Sequence, residues 1–200
     1  MPAVDTTRQR KSHKMAAPSV GSGKGAAVLG SDIIEGRGHT MAIKHKIIPH
    51  LWFDKNAEDA VNFYVSIFDN SKVKSIARYG DAGPGPKGSV MSISFELNGQ
   101  EFAAINGGPM FQFNEAISFL IWCDTQAEID ALWNKLGDDG KPSQCGWLKD
   151  RFGLVWQISY ARLPGMLSGT DEGAANRAMR AMMTMKKIDI RGLDEAYAGK

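Results

Sequence analysis

The stretch Trp52-Phe53-Asp54-Lys55-Asn56-Ala57-Glu58 returns 70 residues later as Trp122-Cys123-Asp124-Thr125-Gln126-Ala127-Glu128. Each copy completes an apolar run, over 47–53 and 117–123, passes through polar residues able to cap a helix, and continues with helical periodicity. Positions 51, 52, 54, 57 and 58 match in kind at 121, 122, 124, 127 and 128, and Phe63 is answered by Trp133. Because strand, cap and helix recur in one order, the repeat predicts a fold made twice from one unit. Trp52 and Trp122 should then occupy equivalent places, with Asp54 and Asp124 both at strand-to-helix junctions.

Outward from the first copy, a strand is expected over 44–53, then a helix with Asn56 as its N-cap. Ala57, Ala60, Val61, Tyr64, Ile67 and Phe68 make one apolar face of that helix. Residues 72–79 alternate as a strand, and 81–87, with Gly83, Pro84, Gly85 and Pro86, form a loop. Strands over 89–97 and 100–106 flank Asn98-Gly99, a hairpin turn in which both positions tolerate positive φ. The unit reads βαβββ.

The second copy repeats that order. A strand over 117–123 leads to a capping box, Thr125 with Glu128, and a helix to Leu136 that buries Ile129, Leu132 and Trp133. A short strand near 142–144 and strands over 145–149 and 154–160 follow. After Pro164 a helix over 170–187 and a last helical turn over 192–197 close the chain. Trp52, Trp122, Trp133 and Trp156 read as core residues, and Met179, Met182 and Met183 as core or dimer packing.

Composition bounds the class. The chain has 200 residues, 43% of them hydrophobic, and a net charge of +2, which permits a substantial core. Its apolar runs are strand-sized and fall far short of the roughly 20 residues that span a bilayer. A soluble protein with no membrane partner and no nucleic-acid partner is expected. Residues 1–40 differ from the rest. They are basic, glycine-containing and without amphipathic period, and should be disordered. Ile34-Glu35-Gly36-Arg37 resembles a Factor Xa cleavage sequence, and Met41 is a plausible native start. An expression leader or over-extended gene start is the favoured reading, a transit peptide the alternative. The two cysteines, Cys123 and Cys145, lack zinc-ribbon spacing and suit a reducing cytoplasm.

Four separated runs carry a family resemblance. They are Pro49-His50-Leu51-Trp52-Phe53-Asp54 with Ala57-Glu58, Ala60 and Phe63-Tyr64; Asn106-Gly107-Gly108-Pro109; Cys145-Gly146-Trp147-Leu148-Lys149-Asp150-Arg151-Phe152-Gly153-Leu154 with Trp156-Gln157; and Met182-Met183 with Met185-Lys186-Lys187-Ile188-Asp189-Ile190. Over 43–198 the chain resembles the PhnB-like group, also labelled 3-demethylubiquinone-9 3-methyltransferase-like, of the vicinal oxygen chelate superfamily. The resemblance implies an α+β fold of the glyoxalase-like kind with a C-terminal helix. One domain over 41–200 would contain modules 43–108 and 115–161 and a helical tail over 170–198. The sheets would curl around a cup, and the protein would be a homodimer. The superfamily includes glyoxalases, ring-cleaving dioxygenases and antibiotic-sequestering proteins, so fold leaves function open.

In metal-dependent members of that superfamily, four His, Gln or Glu ligands come from the first and last strands of the two modules. The repeat carries those positions to Pro49 or His50, Ile105 or Asn106, Ser118, and Gln157. Only His50 and Gln157 are credible ligands, strand alternation turns either Pro49 or His50 away from the cup, and no carboxylate falls at any of the four. A glycine-rich turn from strand into helix, which a Rossmann-type S-adenosylmethionine enzyme needs, is absent, since 80–88 carries two prolines and leads into a strand. Cys145 has no neighbouring base in sequence to activate it, His45 and His50 both lying at the first strand. No cofactor and no metal are therefore expected, and no catalytic residue is identified. Asn106, Gln157 and Ser118 would offer hydrogen bonds, Trp147 with Phe111 or Phe113 an apolar wall, and His50 a polar edge, to a small organic molecule. A cytoplasmic, dimeric small-molecule-binding protein is the favoured expectation. A metal-dependent glyoxalase- or dioxygenase-type enzyme, and a structural or regulatory dimer without a physiological ligand, are the alternatives.

Overall fold

The computed structural model describes residues 47–200. The leader expected over 1–40, His45, and the start of the strand expected from residue 44 lie outside the described residues.

In the first unit β1 (His50–Phe53) is followed by α1 (Ala57–Ile67), β2 (Lys72–Arg78), β3 (Val90–Leu97) and β4 (Gln100–Asn106). In the second, β5 (Phe119–Cys123) is followed by α2 (Gln126–Leu136), β6 (Lys141–Pro142), β7 (Trp147–Lys149) and β8 (Val155–Tyr160). The sheets are ordered β1-β4-β3-β2 and β5-β8-β7-β6, and the repeat in sequence is thus a repeat in topology. In each, the first and last strands run parallel and the others antiparallel. Trp52 stands opposite Ile105 and Trp122 opposite Ser159, equivalent places in the two parallel pairs. Asp54 and Asp124 each follow the last residue of the first strand of their unit.

Local chemistry explains most boundaries. Asn98 and Gly99 have φ of 47° and 77°, as a tight hairpin turn requires. In α2 the Glu128 amide donates to Thr125 Oγ1 at 3.2 Å, while Glu128 Oε2 accepts from the Thr125 amide at 3.1 Å. In α1, by contrast, the Asn56 side chain makes no capping bond. The Ala57 amide donates instead to Asn106 Oδ1 at 2.9 Å, because β4 ends beside the helix that β1 feeds. A residue from the neighbouring strand has taken over a function that sequence assigned to the adjacent one.

Phe53, Val61, Tyr64, Ile93 and Phe95 of the first unit join Cys123, Ile129, Leu148, Trp156 and Ile158 of the second in one apolar core. The seam between units is built of rings: Phe102 with Phe119, Phe119 with Trp156 and Tyr64 with Trp156, at centroid separations of 5.2, 5.5 and 5.5 Å. Such edge and tilted contacts add about 0.5–1.5 kcal/mol each to the burial they share.

The C-terminal segment departs from the expected helix over 170–187 and last turn over 192–197. A short α3 (Leu163–Leu167) precedes α4 (Glu172–Thr184), and α5 (Ile190–Ala198) follows. Helix α4 stops at Thr184 because extended backbone then pairs with the second unit, the Cys145 amide donating to Met185 O and the Gly146 amide to Lys186 O, both at 2.7 Å. A Cβ on Gly146 would lie 2.3 Å from Ile158 O, so only glycine fits this crossing. The Gln126 side chain clamps the same strap, donating to Ile188 O at 3.1 Å and accepting from the Ile190 amide at 2.9 Å. Ile188 and Leu193 are thereby fully buried. Of the methionines, Met182 and Met185 pack against the core, while Met179 and Met183 remain exposed.

Candidate functional site

Strand parity sorts the expected site residues. Leu51, Phe53, Ala104 and Ile93 form the core-facing row of the first sheet, and Asn106, opposite Phe53, shares their parity. Asn106 is held on both sides: its Oδ1 caps α1 and its Nδ2 donates to Val90 O at 3.1 Å. It lines a cleft of about 560 Å³ that also takes in Asp54, Glu58, Arg78, Tyr79 and Gly107 but not Gln157. The structure therefore does not bring Asn106 and Gln157 into one cavity. His50, opposite Ala103, faces the other way from Asn106 and is exposed.

The wall of this cleft explains the Gly-Pro loop. Glycines 83 and 85 sit so close to the Tyr79 ring that a Cβ at either would come within 2.5 Å of it. The loop wraps the ring, whose hydroxyl donates to Asn106 O at 2.9 Å. The loop leads into β3 and presents no helix N-terminus. Arg78 pairs with Glu58 at 3.6 Å, both half in solvent, a weak interaction.

The second sheet presents a different surface. Leu120, Gln157 and Trp147 form one cross-strand row, because Leu120 and Trp147 are both opposite Gln157. Trp122 and Ser159 form the next. The alternate residues, Phe119, Ile121, Cys123, Trp156, Ile158 and Tyr160, belong to the core, so these rows lie on the other face of the sheet, exposed at Leu120 and Trp122 and buried at Ser159. Gln157 Nε2 donates to Ser118 Oγ at 2.7 Å. Trp147 is half-buried and walls a hollow of about 280 Å³ with Pro142, Ser143, Val155 and the Lys149–Glu115 ion pair, 2.6 Å apart. That pair holds the Glu115 carboxyl below its usual range, chiefly through the Lys149 hydrogen bond.

Two aromatic expectations are corrected. Trp122 is 50% exposed rather than core. Its repeat partner Trp52 is covered by the segment joining the units, with Nε1 donating to Gly108 O at 2.8 Å and Phe111 edge-on at 5.0 Å. No such contact is made to Trp122 by the chain that follows β8 into α3. Phe111 and Phe113 pack against Trp52 and Phe53, not beside Trp147. A Cβ on Gly107 would lie 2.3 Å from the Trp52 ring, which is the physical reason for glycine there.

Among the described residues no three His, Cys, Asp or Glu side chains gather where they could hold a metal. Asn106 spends its amide on the backbone, and the Gln157 amide is bonded to a neutral hydroxyl. Cys145 has φ of 56° and its Sγ lies 3.7 Å from Met183 Sδ, whereas burial pushes the Cys123 thiol up to about 11. No helix of the described residues is long and apolar enough to cross a membrane.

The profile of the 3-demethylubiquinone-9 3-methyltransferase family matches residues 45–159. A solved structure described as a putative 3-demethylubiquinone-9 3-methyltransferase, PhnB protein, from Bacillus cereus is 40% identical; the match covers 58% of this chain and 100% of that one, with a TM-score of 0.55. A Pseudomonas aeruginosa protein is 22% identical over 57% of this chain and 96% of its own, with a TM-score of 0.49. The fosfomycin resistance protein FosX of Listeria monocytogenes, solved as an E126Q mutant with Mn(II) and 1S,2S-dihydroxypropylphosphonic acid, is 16% identical over 58% of this chain and 91% of its own, with a TM-score of 0.43. No curated protein matches the chain.

Proposed function

The chain belongs to the 3-demethylubiquinone-9 3-methyltransferase family, and on that premise we propose that it is a member of the vicinal oxygen chelate superfamily that binds a small organic molecule on the outer face of its second sheet, without a metal centre. The observation that carries this reading is the row of Leu120, Gln157 and Trp147, with Ser118 hydrogen-bonded to Gln157. A carbonyl or hydroxyl of the ligand replaces the Ser118–Gln157 bond, and its apolar part lies along Trp147. Of the other expected residues, Asn106 supports the binding protein by shaping the first cleft, and His50 lies at its exposed sheet edge. The family's methyltransferase name has no support in this chain, since the glycine-rich loop wraps Tyr79 and enters a strand.

A homodimer accompanies this reading. Leu120 and Trp122 lie on the same face with 44% and 50% of their surfaces exposed, and a second copy covers them and closes the binding face. The same reading puts the protein in the cytoplasm, a reducing compartment that suits its free Cys123 and Cys145.

The test is a thermal-shift screen of the full chain against a metabolite library, with and without divalent metals, followed by titration of the strongest hit. Loss of one neutral hydrogen bond, about 0.5–1.5 kcal/mol, predicts that Gln157→Ala weakens the hit roughly two- to tenfold. Trp147→Ala should weaken it further. A hit unaffected by both substitutions, or one that binds only with metal, refutes the proposal.

A further inference from the structure

Asp150 is the charged side chain that neither sheet face nor cleft accounts for. It is 4% exposed and lines neither the Asn106 cleft nor the Trp147 hollow. Burial pushes its carboxyl above the ordinary range, against the pull of four donated hydrogen bonds. Oδ1 accepts from the amides of Phe152 at 2.8 Å and Leu154 at 3.0 Å. Oδ2 accepts from Trp156 Nε1 and from the Tyr64 hydroxyl, both at 2.8 Å. Every partner is a donor, so the ionised carboxylate is the form that fits.

The four donors have two origins. Three come from the second unit and close the turn between β7 and β8 around the carboxylate. The fourth, Tyr64, comes from α1 of the first unit, 86 positions away in sequence, and is itself fully buried. The seam around this bond consists of rings, Phe63 and Tyr64 against Phe152 and Tyr64 and Phe68 against Trp156, with the Arg151 guanidinium 4.0 Å over Phe63. Ring contacts tolerate sliding and tilting, whereas a charge-assisted hydrogen bond in a buried site is short-ranged and directional.

We propose that Asp150 is an inter-module latch: its bond to Tyr64 fixes the position of the first module on the second, while its other three bonds fix the turn that carries it. The latch has a reach beyond the seam. Trp156, which shares Oδ2 with Tyr64, is the neighbour of Gln157 on β8, so a shift of α1 is passed to the strand that bears the outer-face amide. The device therefore couples the first module to the face of the second.

Tyr64→Phe removes the crossing bond alone and leaves the turn's own bonds in place. Losing one hydrogen bond to a charged group raises the population of opened seam by about tenfold or more. The readout is the distance distribution between spin labels on cysteines introduced at Lys55 and Asn134, one in each module, in a full-length Cys145→Ser background. A second pair at Lys55 and Gln100, both in the first module, is the control. The expected result is a broadened inter-module distribution in Tyr64→Phe, at least as broad in Asp150→Asn, with an unchanged control pair. An unchanged inter-module distribution in Tyr64→Phe, or equal broadening of the control pair, overturns the proposal. If Asp150→Asn does not fold, Tyr64→Phe decides alone.

Discussion

Asn106→Ala separates a structural amide from a binding one. In the folded chain Asn106 Oδ1 accepts from the Ala57 amide at 2.9 Å and Nδ2 donates to Val90 O at 3.1 Å. Two intramolecular hydrogen bonds contribute about 0.5–1.5 kcal/mol each. The truncation also leaves the amide of Ala57, a fully buried residue, at the start of α1 without its partner, since Asn56 does not cap. A lost N-cap alone costs about 0.5–2 kcal/mol. These effects overlap, and the expected destabilisation is about 2–3 kcal/mol. For a domain of this size that corresponds to a fall in melting temperature of roughly 5–10 °C. Asn106→Asp is the companion variant. It keeps the acceptor and places a negative charge at a helix N-terminus, which is favourable, but it replaces the donor to Val90 O with an oxygen. Its expected loss is about 1 kcal/mol, smaller than that of the alanine. Urea titrations followed by tryptophan fluorescence, with calorimetry in parallel, give both values. A loss below about 0.5 kcal/mol for Asn106→Ala would refute the argument that β4 caps α1.

Further outcomes can be checked at the bench. Thr125→Ala should destabilise by about 0.5–2 kcal/mol in the same titration by dismantling the capping box, and an unchanged midpoint would count against it. Iodoacetamide at pH 8 should modify Cys145 and spare Cys123, whose thiol is pushed by burial up to about 11; two modified thiols per folded chain in peptide mass spectra would contradict this. Trp122→Ser should shift the protein toward monomer in sedimentation velocity with little change in the melting temperature of the isolated chain, whereas an unaltered dimer would place the interface elsewhere. Elemental analysis should find substoichiometric metal, and EDTA should leave the melting temperature unchanged. One firmly held ion per chain would restore the metal-dependent alternative.

The sequence by itself determined the duplicated architecture. Strand alternation, the Asn98-Gly99 turn and the Thr125–Glu128 box are rules of neighbours along a chain, and a repeat 70 residues apart needs no contact map to be seen. What the tertiary structure decided was everything that depends on which strand lies beside which. Asn106 reads as a free amide in sequence and is a cap because β4 pairs with β1 in parallel. Trp52 and Trp122 are interchangeable as residues, yet one is roofed by the linker and the other stands in solvent. The helix expected over 170–187 ends at Thr184 because Cys145, Gly146 and Gln126 offer its continuation a strand-like path. Asp150 stands within a family motif with no role attached, and only folding brings the Tyr64 hydroxyl of the first unit to its Oδ2, beside Trp156 Nε1. Propensity and periodicity act over a few residues, while parity, capping across strands and the burial of a charge are set by partners far along the chain, which only the packed molecule brings together.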